Sequence, residues 1–142
     1  MSQRYFEDIN VGDELPSVEK LPTEELCVKF FTREGKPPPT PERIPVPREG
    51  FSGTIVPGML KVSWLSKYVT DWAGPGSAFR TIRVSYKRPD TTGVPLTLAG
   101  RVVDKREEEA GNVVEVETVM LNDGQPSVMG SVQVLLPKRE GS

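Results

Sequence analysis

The stretch PGMLKVSWLSKYVTDWAGPG, residues 57–76, predicts the helix around which the rest of the chain folds. Pro57 suits the first turn of a helix, where its missing N–H is not needed, and the Ala-Gly-Pro-Gly sequence after Trp72 ends the helix. A helix from Met59 to Trp72 is about 20 Å long at roughly 1.5 Å per residue. Its apolar stripe is wide enough to predict a central, mostly buried position. The stripe consists of Leu60, Trp64, Leu65, Tyr68, Val69 and Trp72.

The residues after this helix change from a helical period to the alternation of β-strands. Within FRTIRVSYKRP, residues 79–89, apolar or aromatic side chains alternate with polar ones: Ile82, Val84 and Tyr86 with Thr81, Arg83 and Ser85. Residues 96–137 predict three further strands, with hairpin connections at EEEAGN and at LNDGQP, where Asp-Gly is a strong turn signal. We therefore expect an antiparallel meander of about four strands. In the last strand one face is formed by Val128, Val132, Val134 and Leu136.

Upstream of the central helix the sequence predicts an extended segment, a first helix and a long loop. RYFEDI, residues 4–9, indicates the extended segment, and Gly12-Asp13 with Pro16 marks a turn after it. Residues 22–35 predict a helix that Thr23 caps and Gly35 ends. Residues 36–50 hold six of the 14 prolines, a density that allows only an extended surface loop. A long antiparallel sheet with one apolar face requires a helix across it, so we predict an α+β fold whose sheet wraps around the central helix.

Length and composition indicate one ordinary globular domain over residues 1–142, with the Pro-rich loop inside it. The net charge of −2 is spread along the chain, which argues against nucleic acid as a partner. No apolar stretch is long enough to cross a bilayer, and no secretory signal is visible, so neither a membrane partner nor export is expected. The single cysteine, Cys27, fits a reducing cytoplasmic location.

The chain contains no histidine. This count excludes Ser-His-Asp and Cys-His catalysis, a histidine general base and histidine-ligated metals. Cys27 cannot build a metal site alone, so no metal is expected. Any chemistry must rest on carboxylates, Lys, Tyr, Ser or Thr hydroxyls, or backbone amides.

Three stretches, in order along nearly the whole chain, resemble the MaoC-like branch of the hotdog fold. They are YFEDINVGDELP (5–16), GFSGTIVPGML (50–60) and VSYKRPDTTGVPLTL (84–98). That family includes (R)-specific enoyl-CoA hydratases and acyl-ACP dehydratases. The resemblance implies a hotdog fold, in which an antiparallel sheet wraps around a central helix.

The resemblance also implies a catalytic pair that this chain does not carry. Active members have an Asp and a His in the loop after the first helix, and the pair adds or removes water across an enoyl double bond. In the corresponding stretch here, residues 33–51, Lys36 or a proline stands where the Asp is expected, and prolines and a threonine stand near the expected His. The family usually has a second histidine just before the glycine of the helix-opening turn. In this chain Pro57 stands at that position. We therefore predict no catalytic residue in this chain.

The resemblance does include the part of the family's site that binds the substrate. In the family, backbone N–H groups at the start of the central helix polarise the thioester carbonyl, with help from the helix dipole. The substrate-binding residues predicted on this basis are Gly53, Ile55, Val56, Gly58, Met59 and Trp64. The alternative is that the glycines only permit a tight turn. Arg83, Lys87 and Arg88 are candidates for contacts with coenzyme A phosphates, or else solvated charges at a strand end.

Three functions remain open at this point. The first is a non-catalytic, pocket-forming subunit of a heteromeric enoyl-CoA hydratase or dehydratase, in a heterodimer or a dimer of heterodimers with a catalytic hotdog chain. The second is a stand-alone acyl-CoA thioesterase that uses Glu49 or Glu42, since Asp71 lies at the far end of the central helix. The third is an acyl-CoA-binding module without turnover. None needs a cofactor beyond the coenzyme A or acyl carrier protein that carries the substrate.

Overall fold

A computed structural model describes residues 2–27 and 55–139. A central helix, Gly58–Ala73, lies against a five-stranded antiparallel sheet with the strand order β1-β3-β4-β5-β2. The strands are β1 Glu14–Lys20, β2 Ala78–Tyr86, β3 Leu96–Glu108, β4 Gly111–Asn122 and β5 Gln125–Leu135. The predicted α+β fold, an antiparallel sheet wrapped around a central helix, is confirmed.

The central helix begins and ends within one residue of the prediction. Pro57 precedes it, and Gly74 ends it with a φ of 105°, while the Gly74 N–H donates to the Thr70 carbonyl at 3.0 Å. A positive φ of this kind favours glycine, which explains why the helix ends there. The buried side chains of the helix are Leu60, Lys61, Trp64, Leu65, Tyr68, Val69 and Ala73. All but Lys61 belong to an apolar or aromatic face.

The core lies between this helix and the inner face of the sheet. The four residues predicted to share one face of the last strand are all buried there: Val128, Val132, Val134 and Leu136. Gly100, Thr118 and Gly130 form a row across β3, β4 and β5. A Cβ at Gly100 would lie 3.2 Å from a Val116 methyl carbon and 3.4 Å from the Tyr68 ring, so glycine fits this position beneath the helix.

The sheet corrects one part of the prediction. Only β3, β4 and β5 form a meander, because β2 pairs with β5 at the edge opposite β1. The connection of residues 87–95 therefore crosses from one edge of the sheet to β3. Strand periodicity does not encode which strands become neighbours, since that depends on the path of the connections.

The N-terminal segment also differs from the prediction. Phe6–Asp8 form a short 3₁₀ turn rather than an extended segment. Phe6 is buried, and the Lys105 ammonium group donates to the carbonyls of Phe6 and Ile9 at 2.7 and 2.8 Å, which favours the turn over extension. Pro16 lies inside β1 rather than in a turn. It is tolerated because β1 is an edge strand and its register shifts between Leu15 and Val18.

Both hairpin predictions are confirmed. Asp123 and Gly124 join β4 to β5 with φ values of 51° and 76°, the paired positive angles of a two-residue type I′ hairpin. Glu109 and Ala110 join β3 to β4.

The predicted first helix and the Pro-rich loop lie largely outside the described residues. Residues 24–27 are helical, and the Thr23 hydroxyl accepts a hydrogen bond from the Leu26 N–H at 3.1 Å, as expected of an N-cap. Residues 36–50 fall entirely outside the described ranges. Among the helices of the described part, none has the length and apolar character needed to span a membrane.

Candidate functional site

A cleft of about 580 Å³ lies at the start of the central helix, beside the end of β2. The helix contributes its first turn, and the segment that follows β2 contributes the opposite wall. The lining residues are Ile55, Val56, Gly58, Met59, Lys61, Tyr86, Lys87, Arg88 and Pro89.

The start of the helix supplies hydrogen-bond donors to this cleft. The Leu60 and Lys61 N–H groups donate to the Pro57 carbonyl at 3.2 and 3.3 Å, so the hydrogen bonds of the helix begin there. The N–H groups of Gly58 and Met59 precede these bonds and have no acceptor within the helix. They carry the partial positive charge of the helix start, which favours an anion or a polarised carbonyl oxygen.

Tyr86 covers the first residue of the helix. A Cβ at Gly58 would lie 3.1 Å from the Tyr86 hydroxyl oxygen and 3.2 Å from the carbon that bears it. Only glycine allows this close approach without a shift of the tyrosine. Gly58 therefore sets the distance between the helix and the end of β2, and Tyr86, which is 50% exposed, forms one wall of the cleft.

A buried ion pair lies under this wall. The Lys61 ammonium nitrogen is 3.0 Å from one Asp90 carboxylate oxygen, and the two side chains are only 3% and 0% exposed. The other carboxylate oxygen accepts a hydrogen bond from the Asn122 side-chain amide at 2.9 Å. The Asp90 carbonyl accepts a hydrogen bond from the Val56 N–H at 2.7 Å. This network ties the helix, the segment before it, β4 and the connection after β2 into one rigid unit.

Comparison with solved structures identifies the architecture. The MaoC-like dehydratase from Rhodospirillum rubrum superposes with a TM-score of 0.74 at 18% identity, covering 96% of this chain and 98% of that chain. The (R)-hydratase from A. caviae involved in PHA biosynthesis gives 0.71 at 22% identity, covering 91% and 98%. The protein has the hotdog fold.

A third hotdog structure, the ChsH1-ChsH2 complex from Mycobacterium tuberculosis, gives a TM-score of 0.72 at 21% identity, covering 89% of this chain and 98% of that chain. The structural neighbours are thus MaoC-like dehydratases and (R)-hydratases, in agreement with the fold that the sequence resemblance implies. No protein-family model matches the sequence, and no curated protein matches it.

The hotdog structure brings together most of the predicted binding residues but not all of them. Four of the six residues predicted to contact substrate line the cleft: Ile55, Val56, Gly58 and Met59. Gly53 lies outside the described residues. Trp64 does not line this cleft. It lies six residues beyond Gly58, about 9 Å along the helix at roughly 1.5 Å per residue, and lines a separate cavity beside β1.

Of the three cations predicted to contact phosphates, two line the cleft and one does not. Lys87 and Arg88 line the cleft and are exposed, as phosphate binding requires. Arg83 lies on β2, is exposed, and does not line the cleft. It alternates with Ile82 and Val84, which pack against the core, so its side chain belongs to the outer face of the sheet.

The sequence analysis missed Lys61, Asp90 and Asn122. One signal was available: Lys61 shares a helix face with Trp64, Leu65 and Tyr68, at spacings of three, four and seven residues. A lysine inside an apolar stripe requires a buried partner, because an unpaired buried charge is costly. Nothing local identifies that partner as Asp90, which lies in a segment that looks like an ordinary turn.

The described part of the cleft can bind and polarise a ligand but offers little acid–base chemistry. No carboxylate lines the cleft among residues 2–27 and 55–139, and Asp90 beneath it is fully engaged. Burial, helped by the nearby Glu24, raises the pKa of the Cys27 thiol, so this thiol is a poor nucleophile. The same residues contain no group of metal-ligating side chains placed to hold an ion.

Proposed function

We propose that this chain is the non-catalytic, pocket-forming subunit of a heteromeric MaoC-like enoyl-CoA hydratase or dehydratase that acts on an acyl thioester. A partner hotdog chain supplies the Asp and His. The observation that carries the proposal is the complete absence of histidine from a hotdog chain whose cleft at the helix start is intact. A chain that binds but moves no proton needs a sister chain for the chemistry.

The cleft supports an acyl thioester as the ligand. The N–H groups of Gly58 and Met59, which have no acceptor within the helix, suit a thioester carbonyl oxygen. Lys87 and Arg88 stand at the same cleft and suit the phosphates of coenzyme A. The cleft thus offers donors for the thioester carbonyl and cations for the phosphates, the two groups that the pantetheine arm of coenzyme A joins.

The structural neighbour ChsH1-ChsH2 supports a heteromeric assembly, since by its name it is a complex of two different chains. The sheet of the present chain offers a matching surface. β2 is an edge strand, paired within the described sheet only with β5. Phe79, at one end of β2, is 47% exposed, and Tyr86, at the other end, belongs to the cleft. A partner strand along β2 therefore reaches the cleft and can place catalytic groups beside it.

Phe79→Lys should separate this chain from its partner. The variant removes an exposed apolar side chain from the edge strand and adds a charge that opposes strand pairing. We expect at least a tenfold weaker association, measured by analytical ultracentrifugation of the complex isolated from the source cells. Val11→Lys is the matched control, because Val11 is also an exposed apolar side chain, 60% exposed, and lies in the turn before β1. Equal weakening by both variants would contradict the role of β2.

The isolated chain should show no hydration of an enoyl-CoA, because no histidine is present to move the proton. The first measurement is the native mass of the tagged protein from its own source cells, followed by hydratase assays on the complex and on the pure chain. A second hotdog chain that carries an Asp/His pair, with activity only in the complex, is the expected result. Hydration by a pure homo-oligomer would overturn the proposal, and hydrolysis of acyl-CoA that Glu49→Gln abolishes would replace it with a thioesterase.

A further inference from the structure

A second cavity, of about 330 Å³, lies between the central helix, β1 and β3, away from the helix start. Its size is at the lower end of the range for small-molecule sites. Its walls are aromatic and aliphatic: Trp64, Tyr68, Trp72, Pro16, Val18 and Leu98. None of these residues lines the cleft of the proposed thioester site.

Tyr68, the phenol in the wall of this cavity, needs no hydrogen-bond acceptor from a ligand. The Tyr68 hydroxyl already donates to the Pro16 carbonyl at 2.8 Å, and burial raises the pKa of Tyr68 to about 12, so the phenol stays neutral. Val18, on the edge strand β1, is a 39% exposed apolar side chain at this cavity. The walls are therefore suited to an apolar body.

The rim of the cavity is positively charged. Among the residues that the structure describes, Arg4, Lys20 and Lys67 line it together with one carboxylate, Asp71, so three positive charges against one negative charge leave a net charge of +2. Lys67 pairs with Asp71 at 2.9 Å. The Arg4 guanidinium lies over the Trp72 ring, and its Nε donates to the Trp72 carbonyl.

Lys20 differs from these groups. It forms no ion pair with any residue in the described ranges, although it stands beside the apolar wall at the end of β1. A ligand with a negative group at this rim would pair with Lys20 and the remaining donors of Arg4.

We propose that this cavity binds an amphipathic organic anion: an apolar body of the size of a medium-chain fatty acid, ending in one carboxylate. The aromatic walls take the apolar body, and Lys20 and Arg4 take the carboxylate. The site lies further along the helix than the thioester cleft and shares no lining residue with it. It is independent of the proposed function.

The protein carries a built-in reporter for this cavity. Its two tryptophans are Trp64 and Trp72, and both line the cavity. Titration with bromododecanoate, whose bromine quenches indole fluorescence on contact, therefore measures occupancy directly. We expect saturable quenching below the micelle concentration, and at least fivefold weaker quenching by an equally brominated dodecanol.

Three variants test the proposal. Lys20→Glu reverses one rim charge and should weaken bromododecanoate binding about fivefold, the size of an exposed charge interaction. Val18→Tyr places a larger side chain, well suited to an edge strand, at the cavity and should abolish quenching. Lys87→Glu, at the thioester cleft, should leave quenching unchanged and is the matched charge control.

Absence of quenching would overturn the proposal, as would quenching that is equal for the acid and the alcohol or that Lys20→Glu and Val18→Tyr both leave unchanged. Binding of coenzyme A, measured by calorimetry on the same samples, reports on the thioester cleft. Failure of one site is thereby distinguished from failure of the other.

Discussion

Replacing Lys61 by methionine should lower the free energy of unfolding by about 3–5 kcal/mol, the range for breaking a buried ion pair. Methionine fills a similar volume but leaves the Asp90 carboxylate, which is fully buried, without its counter-charge. Asn122 alone then supports that carboxylate through one hydrogen bond. Chemical denaturation of the purified protein, followed by circular dichroism, measures the change.

The chain offers two matched controls for this prediction. Lys67→Met breaks a second lysine–aspartate pair on the same helix, but Lys67 and Asp71 are 67% and 40% exposed. That variant should change the free energy of unfolding by less than about 0.5 kcal/mol. The double variant Lys61→Met with Asp90→Asn removes both charges and should recover at least half of the loss.

Two outcomes would contradict the role assigned to this pair. One is a loss for Lys61→Met as small as that for Lys67→Met, which would mean that the charges are solvated. The other is a double variant no more stable than Lys61→Met alone, which would mean that the lysine acts by packing rather than by charge.

The double charge reversal Lys87→Glu with Arg88→Glu should weaken binding of acyl-CoA to the isolated complex about 100-fold. Each cation that donates to a phosphate contributes about 1.5–3 kcal/mol, and the effects partly overlap because the two residues are adjacent. Both side chains are exposed, so the substitutions should leave the free energy of unfolding nearly unchanged. Isothermal titration calorimetry with a non-hydrolysable acyl-CoA measures the affinity.

Arg83→Glu is the control for this prediction. Arg83 is the third cation that the sequence singled out, but it lies outside the lining of the cleft. We expect its affinity to stay within about twofold of the native protein, the residual effect being long-range and screened by salt. If Arg83→Glu weakened binding as much as the double reversal, the phosphates would lie along β2 rather than at the cleft.

Much of the fold follows from local sequence pattern. The helical spacing of Leu65 and Val69, the Gly74 that follows Ala73, and the Asp123-Gly124 turn each act on residues nearby in the chain. Local patterns of this kind predict the structure correctly because the burial that they favour agrees with the burial in the fold. They placed the central helix within one residue of its observed bounds, and they identified both hairpins.

The candidate site was predictable only in part, because a sequence motif does not say which of its residues meet in space. The resemblance in sequence predicted binding roles for Gly58, Met59, Lys87 and Arg88, and the fold places these four residues at one cleft. Trp64 was predicted to belong to the same site, although its position further along the helix places it at another cavity.

By itself, the sequence determined that this chain has a central helix under an antiparallel sheet and no histidine with which to move a proton. Only the tertiary structure decided that β2 lies beside β5 and that Lys61 meets Asp90, 29 residues away, with Asn122 a further 32 residues along. Helix and strand periods are set by neighbours a few residues apart. Contacts between distant residues depend on how connections cross the sheet, and no local pattern specifies that path.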